Sequence, residues 1–169
     1  MLKVLVPVDG SNNSLHAVRH VLSEFRRNPA IDIHLLNVQP RFSGNVRRWI
    51  DRETINEAHA EASEQALQPI RQVLDEVCVP YSVHFAVGGK AGTIAEFARR
   101  LQCDHIVIGT ARKNSLMRTI EGSVTNKLLE LTTVPVIAVA GDSPSAWERF
   151  GIQWGVGGGL AWLAVAALE

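Results

Sequence analysis

The sequence predicts an α/β domain: a single doubly wound, five-stranded parallel sheet of order 3-2-1-4-5, with helices on both faces. Short β-branched runs alternate with stretches of helical periodicity from residue 1 to about 141, the pattern that gives parallel sheets with right-handed crossovers. Four of the five strand runs are almost continuously apolar, which suits strands covered on both faces. The order follows if strands one to three wind outward and the chain then crosses back to place strand four beside strand one.

Leu2–Val8 is the first strand and stops at the turn Asp9-Gly10-Ser11. Leu15, Val18, Leu22 and Phe25, spaced by 3, 4 and 3, form one face of a helix that Asn28-Pro29 breaks. Ile31, Ile33, Leu35, Leu36 and Val38 make a second strand ending at Pro40, and Arg41 to Arg52 reads as a surface loop carrying Trp49. Thr54 and Glu57 have the spacing of a capping box. The helix they would start buries Ala62, Ala66, Ile70, Val73 and Val77, with a kink or break at Pro69. Tyr81, Val83, Phe85 and Val87 alternate as a third strand. After Gly88-Gly89, Thr93 and Glu96 would cap a helix built on Ile94, Phe97, Ala98 and Leu101.

His105–Ile108 is the fourth strand, bounded by Gly109. A polar segment, Thr110 to Glu121, leads to Gly122-Ser123 and a helix carrying Val124, Leu128 and Leu131. Val134–Val139 is the fifth strand. Residues 142–169 read as a linker followed by an apolar, glycine-rich tail, with no charge between Arg149 and Glu169. That tail falls short of the roughly 20 strongly apolar residues of a spanning helix. Packing or disorder is the first expectation for it, ahead of membrane contact or a vector-derived end.

Composition narrows the function. Seventeen Lys plus Arg balance seventeen Asp plus Glu over 169 residues, so no global basic field recruits nucleic acid or anionic membrane. Cys78 and Cys103 stand alone without Cys-x-x-Cys spacing, as expected of free, buried apolar thiols in a reducing cytoplasm. The opening Met1-Leu2-Lys3-Val4 run is too short for a signal peptide and reads as a strand.

Ligands of such sheets bind beyond the carboxyl ends of the strands, where the strand order reverses. Here that point lies between strands one and four, at Asp9-Gly10-Ser11 and at Gly109–Ser123. The Asp9 carboxylate can accept hydrogen bonds from a ribose or an adenine amine; alternatively Asp9 or Ser11 caps the first helix. Gly122-Ser123-Val124 opens a helix whose free N–H groups favour phosphate, after a loop longer than a plain strand-to-helix link needs.

These residues resemble universal stress proteins. Val4-Leu5-Val6-Pro7-Val8-Asp9-Gly10-Ser11 is similar to the family's opening strand, and Val134-Pro135-Val136 to its last. Gly109-Thr110-Ala111-Arg112, nine residues, then Gly122-Ser123 is similar in register to the nucleotide pattern Gly-x2-Gly-x9-Gly-Ser/Thr, with Arg112 at its second glycine. The resemblance implies an adenine-nucleotide site, ATP with Mg²⁺ entering through the phosphates. It implies that Asp9 and Val38 hold the adenosine, that Gly109, Gly122 and Ser123 hold ribose and phosphates, and that Pro7, Val8, Arg112 and Val124 belong to the same site. It also implies a stress-response homodimer paired through strand five. The alternative is a dimeric interaction module of the same family without nucleotide.

Other features lead elsewhere. Gly88-Gly89-Lys90-Ala91-Gly92 fits neither Gly-x-Gly-x-x-Gly nor the P-loop and reads as a plain turn far from the switch point. His16 and His20 have metal-ligand spacing on a helix but point to solvent with no third ligand. Arg26-Arg27 and Arg47-Arg48 read as solvated pairs without the interleaved aromatics of a nucleic-acid face. No nucleophile–base arrangement can be argued from spacing, which leaves at most slow ATP hydrolysis as an activity.

Overall fold

In the computed structural model, described over residues 1–44, 49–110 and 124–141, strands and helices alternate along the chain. They are β1 (Leu2–Val8), α1 (Asn12–Arg27), β2 (Ile31–Gln39), α2 (Arg52–Glu76), β3 (Tyr81–Val87), α3 (Lys90–Arg100), β4 (His105–Thr110), α4 (Val124–Leu131) and β5 (Val136–Ala140). The five strands form one sheet of order β3-β2-β1-β4-β5 in which every pair is parallel. The expected topology is therefore observed. Arg112, Gly122 and Ser123, the pair Arg47-Arg48 and the tail from residue 142 lie outside the described residues.

Because neighbouring side chains on a strand point to opposite faces, β1 feeds two cores. Val4, Val6 and Val8 join Val18 and Leu22 of α1 and Leu67, Ile70 and Leu74 of α2 on one face. Leu5 joins Leu36, Ile106 and Ile108 beneath Ile94 and Phe97 of α3 and Leu128 of α4 on the other. Double coverage explains the continuous apolar runs.

Helix starts depart from the sequence expectation. The N-cap of α2 is Asp51, whose carboxylate accepts from the Thr54 backbone N–H at 2.8 Å and from its hydroxyl at 3.0 Å; these bonds hold the carboxyl below its usual range. Thr54 is thus a partner of the cap, not the cap. At α3 the N-cap is Gly89, without a side-chain bond, and Thr93 already lies inside the helix. Pro69 does not break α2, which runs unbroken for 25 residues; Pro69 sits on the exposed side, where the carbonyl its ring leaves unpaired can be hydrated. Of the expected α2 stripe, Ala66 and Ile70 are buried. Val77, the C-cap of α2, is exposed, and His59, Ser63, Leu67 and Leu74 complete the face. Of the apolar residues that α4 carries, Leu128 is buried and Leu131, at its end, is 60% exposed.

Strand β3 is an edge whose expected apolar face is left open. Val83 and Phe85 stand in register with Leu35 and Asn37 of β2, yet both are exposed, and on that face only Tyr81 at the start of the strand packs on the core and donates its hydroxyl to Asp75 of α2 at 2.9 Å. The covered face of β3 instead holds His84. Its Nε2 meets His34 Nδ1 at 3.0 Å, His34 Nε2 meets Asp32 at 3.0 Å, and the His84 ring packs on Phe97.

Candidate functional site at the strand order reversal

A cavity of about 200 Å³ opens beyond the carboxyl ends of β1 and β4. Pro7, Val8, Asp9, Val38, Gly109 and Val124, six of the nine residues expected at a ligand, line it together. Topology explains the convergence: β1 and β4 are adjacent although a hundred residues separate them, so their loops meet. Leu36, Val38, Ile94, Ile108 and Val124 give the cavity apolar walls, and Asp9, Ser14, Lys90, Thr110 and Thr125 bring polar groups to it. Apolar walls with a few convergent polar groups are the usual character of a small-molecule site.

Each wall has a local cause. β1 ends where Gly10 takes φ +79°, a left-handed conformation that glycine adopts without penalty. Ser11 is the N-cap of α1: its hydroxyl accepts from Ser14 N–H at 3.3 Å and donates to Asp9 Oδ1 at 2.6 Å. Asp9 Oδ1 also accepts the Ser11 backbone N–H at 3.1 Å. The cap is therefore Ser11, and Asp9 braces it with one oxygen while lining the cavity. Asn37, 1% exposed, donates its side-chain amide to the Val8 carbonyl at 2.8 Å and accepts from Gln39 at 2.9 Å. Together these bonds fix the end of β1.

Gly109 belongs to β4, not to a loop; it pairs with Val139, and Thr110 pairs with Ala140. The strand is two residues longer than its apolar run suggests. A Cβ on Gly109 would run into the backbone carbonyl of Asn13 and stand 2.8 Å from Ser14 N. The first turn of α1 lies directly on the strand, so this glycine serves close helix–strand packing.

Lys90 corrects the sequence reading. The Gly88–Gly92 segment is not remote from the switch point: Gly89 caps α3, and Lys90, its first residue, is half-buried in the cavity wall. The helix that carries the chain from β3 back to β4 must start above β2, and this brings its N-terminus to the ligand side. Strand order alone could have shown this; the glycine spacing could not. Ser14, Thr110 and Thr125 carry no comparable signal.

The remaining candidates behave otherwise. His20 pairs with Glu24 at 3.5 Å on α1, and His16 is half-buried near Gly141 instead of facing solvent. Among the described residues no three His, Cys, Asp or Glu side chains cluster as a metal ion would require. Cys103 is buried, and burial pushes its thiol up to about 11, which makes it a poor nucleophile. Cys78 is exposed just beyond α2, contrary to the expectation of two buried thiols. No helix among the described residues is long and apolar enough to cross a membrane.

The model of the universal stress protein family matches residues 1–140. The chain belongs to that family. It is 31% identical over 141 residues to universal stress protein MJ0531 of Methanocaldococcus jannaschii, a match covering 81% of each chain. Among solved structures it resembles hypothetical protein MJ0577, at 25% identity and a TM-score of 0.64, over 85% of this chain and 98% of that one. A universal stress protein family protein from Arabidopsis thaliana, solved with AMP bound, shares the fold at 18% identity and a TM-score of 0.60, over 88% of this chain and 95% of that one.

Proposed function

We propose that this universal stress protein is a cytoplasmic stress-response protein that holds an adenine nucleotide in the switch-point cavity and acts as a homodimer joined through β5. The observation that carries the reading is the cavity itself. Apolar walls from Val38, Ile94 and Ile108 suit the faces of a purine, and the Asp9 carboxylate at the end of β1 suits a ribose hydroxyl or an amine. The Lys90 ammonium in the same wall suits phosphate. The Arabidopsis relative, solved with AMP, supports the ligand class. ATP would bring Mg²⁺ with its phosphates.

The dimer is supported by the edge. Among the described residues β5 pairs only with β4, and the exposed Leu129 and Leu131 lie on the helix that leads into it; an open apolar edge favours pairing with another chain. A second reading, an interaction module without nucleotide, draws on the engagement of Asp9 Oδ1 by Ser11, which leaves that carboxylate one oxygen for a ligand. Native mass spectrometry of protein purified without added nucleotide tests both halves of the proposal. The expected species has twice the chain mass and carries adenine nucleotide. A bare dimer would favour the second reading, and a bare monomer would overturn the proposal.

A further inference from the structure

A second cavity, of about 600 Å³, lies on the β3 side, between the chain that leaves β2 and the first two turns of α2. It shares no residue with the switch-point cavity. Phe42, Ile55 and Val87 give it apolar walls, Arg41 and Arg52 stand exposed at its rim, and the His59 ring completes the wall.

His59 is the unusual member. It is 5% exposed, yet its Nδ1 has no hydrogen-bond partner. Its ring lies 4.7 Å from Phe42 and 6.4 Å from Phe85, and this burial holds it below its ordinary pKa of 6.5, so it is neutral at neutral pH. Arg41 and Arg52 put two positive charges at the cavity's rim. Of the two carboxylates that flank Arg52 in the chain, Asp51 is committed to the Thr54 N–H and hydroxyl. Neither Arg41 nor Arg52 is in an ion pair among the described residues.

We propose that this cavity binds a small aromatic carboxylate, its ring against Phe42, Ile55 and Val87 and its anionic group between the Arg41 and Arg52 guanidiniums, beside His59. Guanidinium forks match carboxylates in shape as well as charge. A neutral imidazole adds a donor without a second buried charge, and the apolar walls require a flat hydrocarbon body in place of an inorganic anion. The site is independent of the nucleotide proposal.

Sodium benzoate is the probe, titrated into the full-length protein and followed through the ring nitrogens of its histidines by NMR. The His59 signals are assigned through contacts to the Phe42 ring. The expected result is a saturable shift of the His59 nitrogens that AMP does not compete away. Benzamidine, the same ring with a positive group, should not produce it. Arg41→Glu and Arg52→Glu, both at exposed positions, should each weaken benzoate by about tenfold or more, the loss of one charge-assisted contact. The proposal is overturned if His59 stays unmoved, if benzamidine binds as well as benzoate, if both charge reversals leave affinity unchanged, or if AMP displaces the probe. It is equally overturned if the His59 signals shift with protein concentration alone and benzoate then fails to bind, since a second copy would be the occupant.

Discussion

The Asn37 side-chain amide reaches the Val8 carbonyl across 2.8 Å, and both groups sit at the carboxyl end of the sheet where the cavity opens. A buried amide amid β-branched neighbours fixes where β1 stops, and so where Asp9 begins. Asn37→Leu removes the donor and leaves Gln39 without its acceptor. An unsatisfied buried group costs about 1–3 kcal/mol, so the urea midpoint should fall accordingly. An unchanged midpoint would show that water replaces the amide.

Asp9 and Ser11 are separable. Ser11→Ala deletes the cap of α1 and should cost about 0.5–2 kcal/mol of stability, with little effect on nucleotide affinity. Asp9→Ala should do the opposite: a small stability change, because Ser11 still accepts from Ser14, and about tenfold or more weaker nucleotide binding from one lost charge-assisted bond. Thermal melts and calorimetry on both variants read the two effects. Equal affinity in wild type and Asp9→Ala would assign Asp9 to bracing alone.

Gly109→Ala places a methyl against the Asn13 carbonyl, a backbone atom that cannot swing aside. Overpacking of this kind costs about 1–3 kcal/mol. The expected outcome is a destabilised protein whose α1 is displaced, seen as a lowered melting temperature without nucleotide. Wild-type stability would mean that the helix and strand are less closely pressed.

Much of this fold was legible because its sheet is doubly covered. β1 declares itself by a continuous apolar run with a turn at Asp9-Gly10. Residues whose reasons are three-dimensional were not legible. Gly109 is a glycine because α1 lies on it, and Lys90 reaches the cavity because α3 crosses back over β2. His59 continues the buried face of α2, but a histidine there carries no apolar signal. Phe85 looks like a core residue by alternation, yet it stands exposed on the edge strand.

Acid should loosen the domain well before its carboxylates titrate. Burial holds His59 and His84 below their ordinary 6.5, and His84 is held there further by His34 and Arg100, against a smaller upward pull from Asp32. The unfolded chain therefore takes up these protons first as pH falls. The stabilisation is fully present well above pH 6.5 and is lost as pH falls through that value, so urea midpoints should drop as the pH is lowered from about 7 into the acid range. His84→Gln should flatten that slope; an equal slope in the variant would place the pH dependence elsewhere.

The cavity between β1 and β4 is proposed to hold an adenine nucleotide, and calorimetric titration of AMP into the protein, in wild type and in Lys90→Glu, decides it. Saturable binding of one nucleotide per chain is expected in the wild type, weakened by about tenfold or more when the cavity's ammonium becomes a carboxylate. No binding by the wild type, or equal affinity in a folded Lys90→Glu, would contradict it.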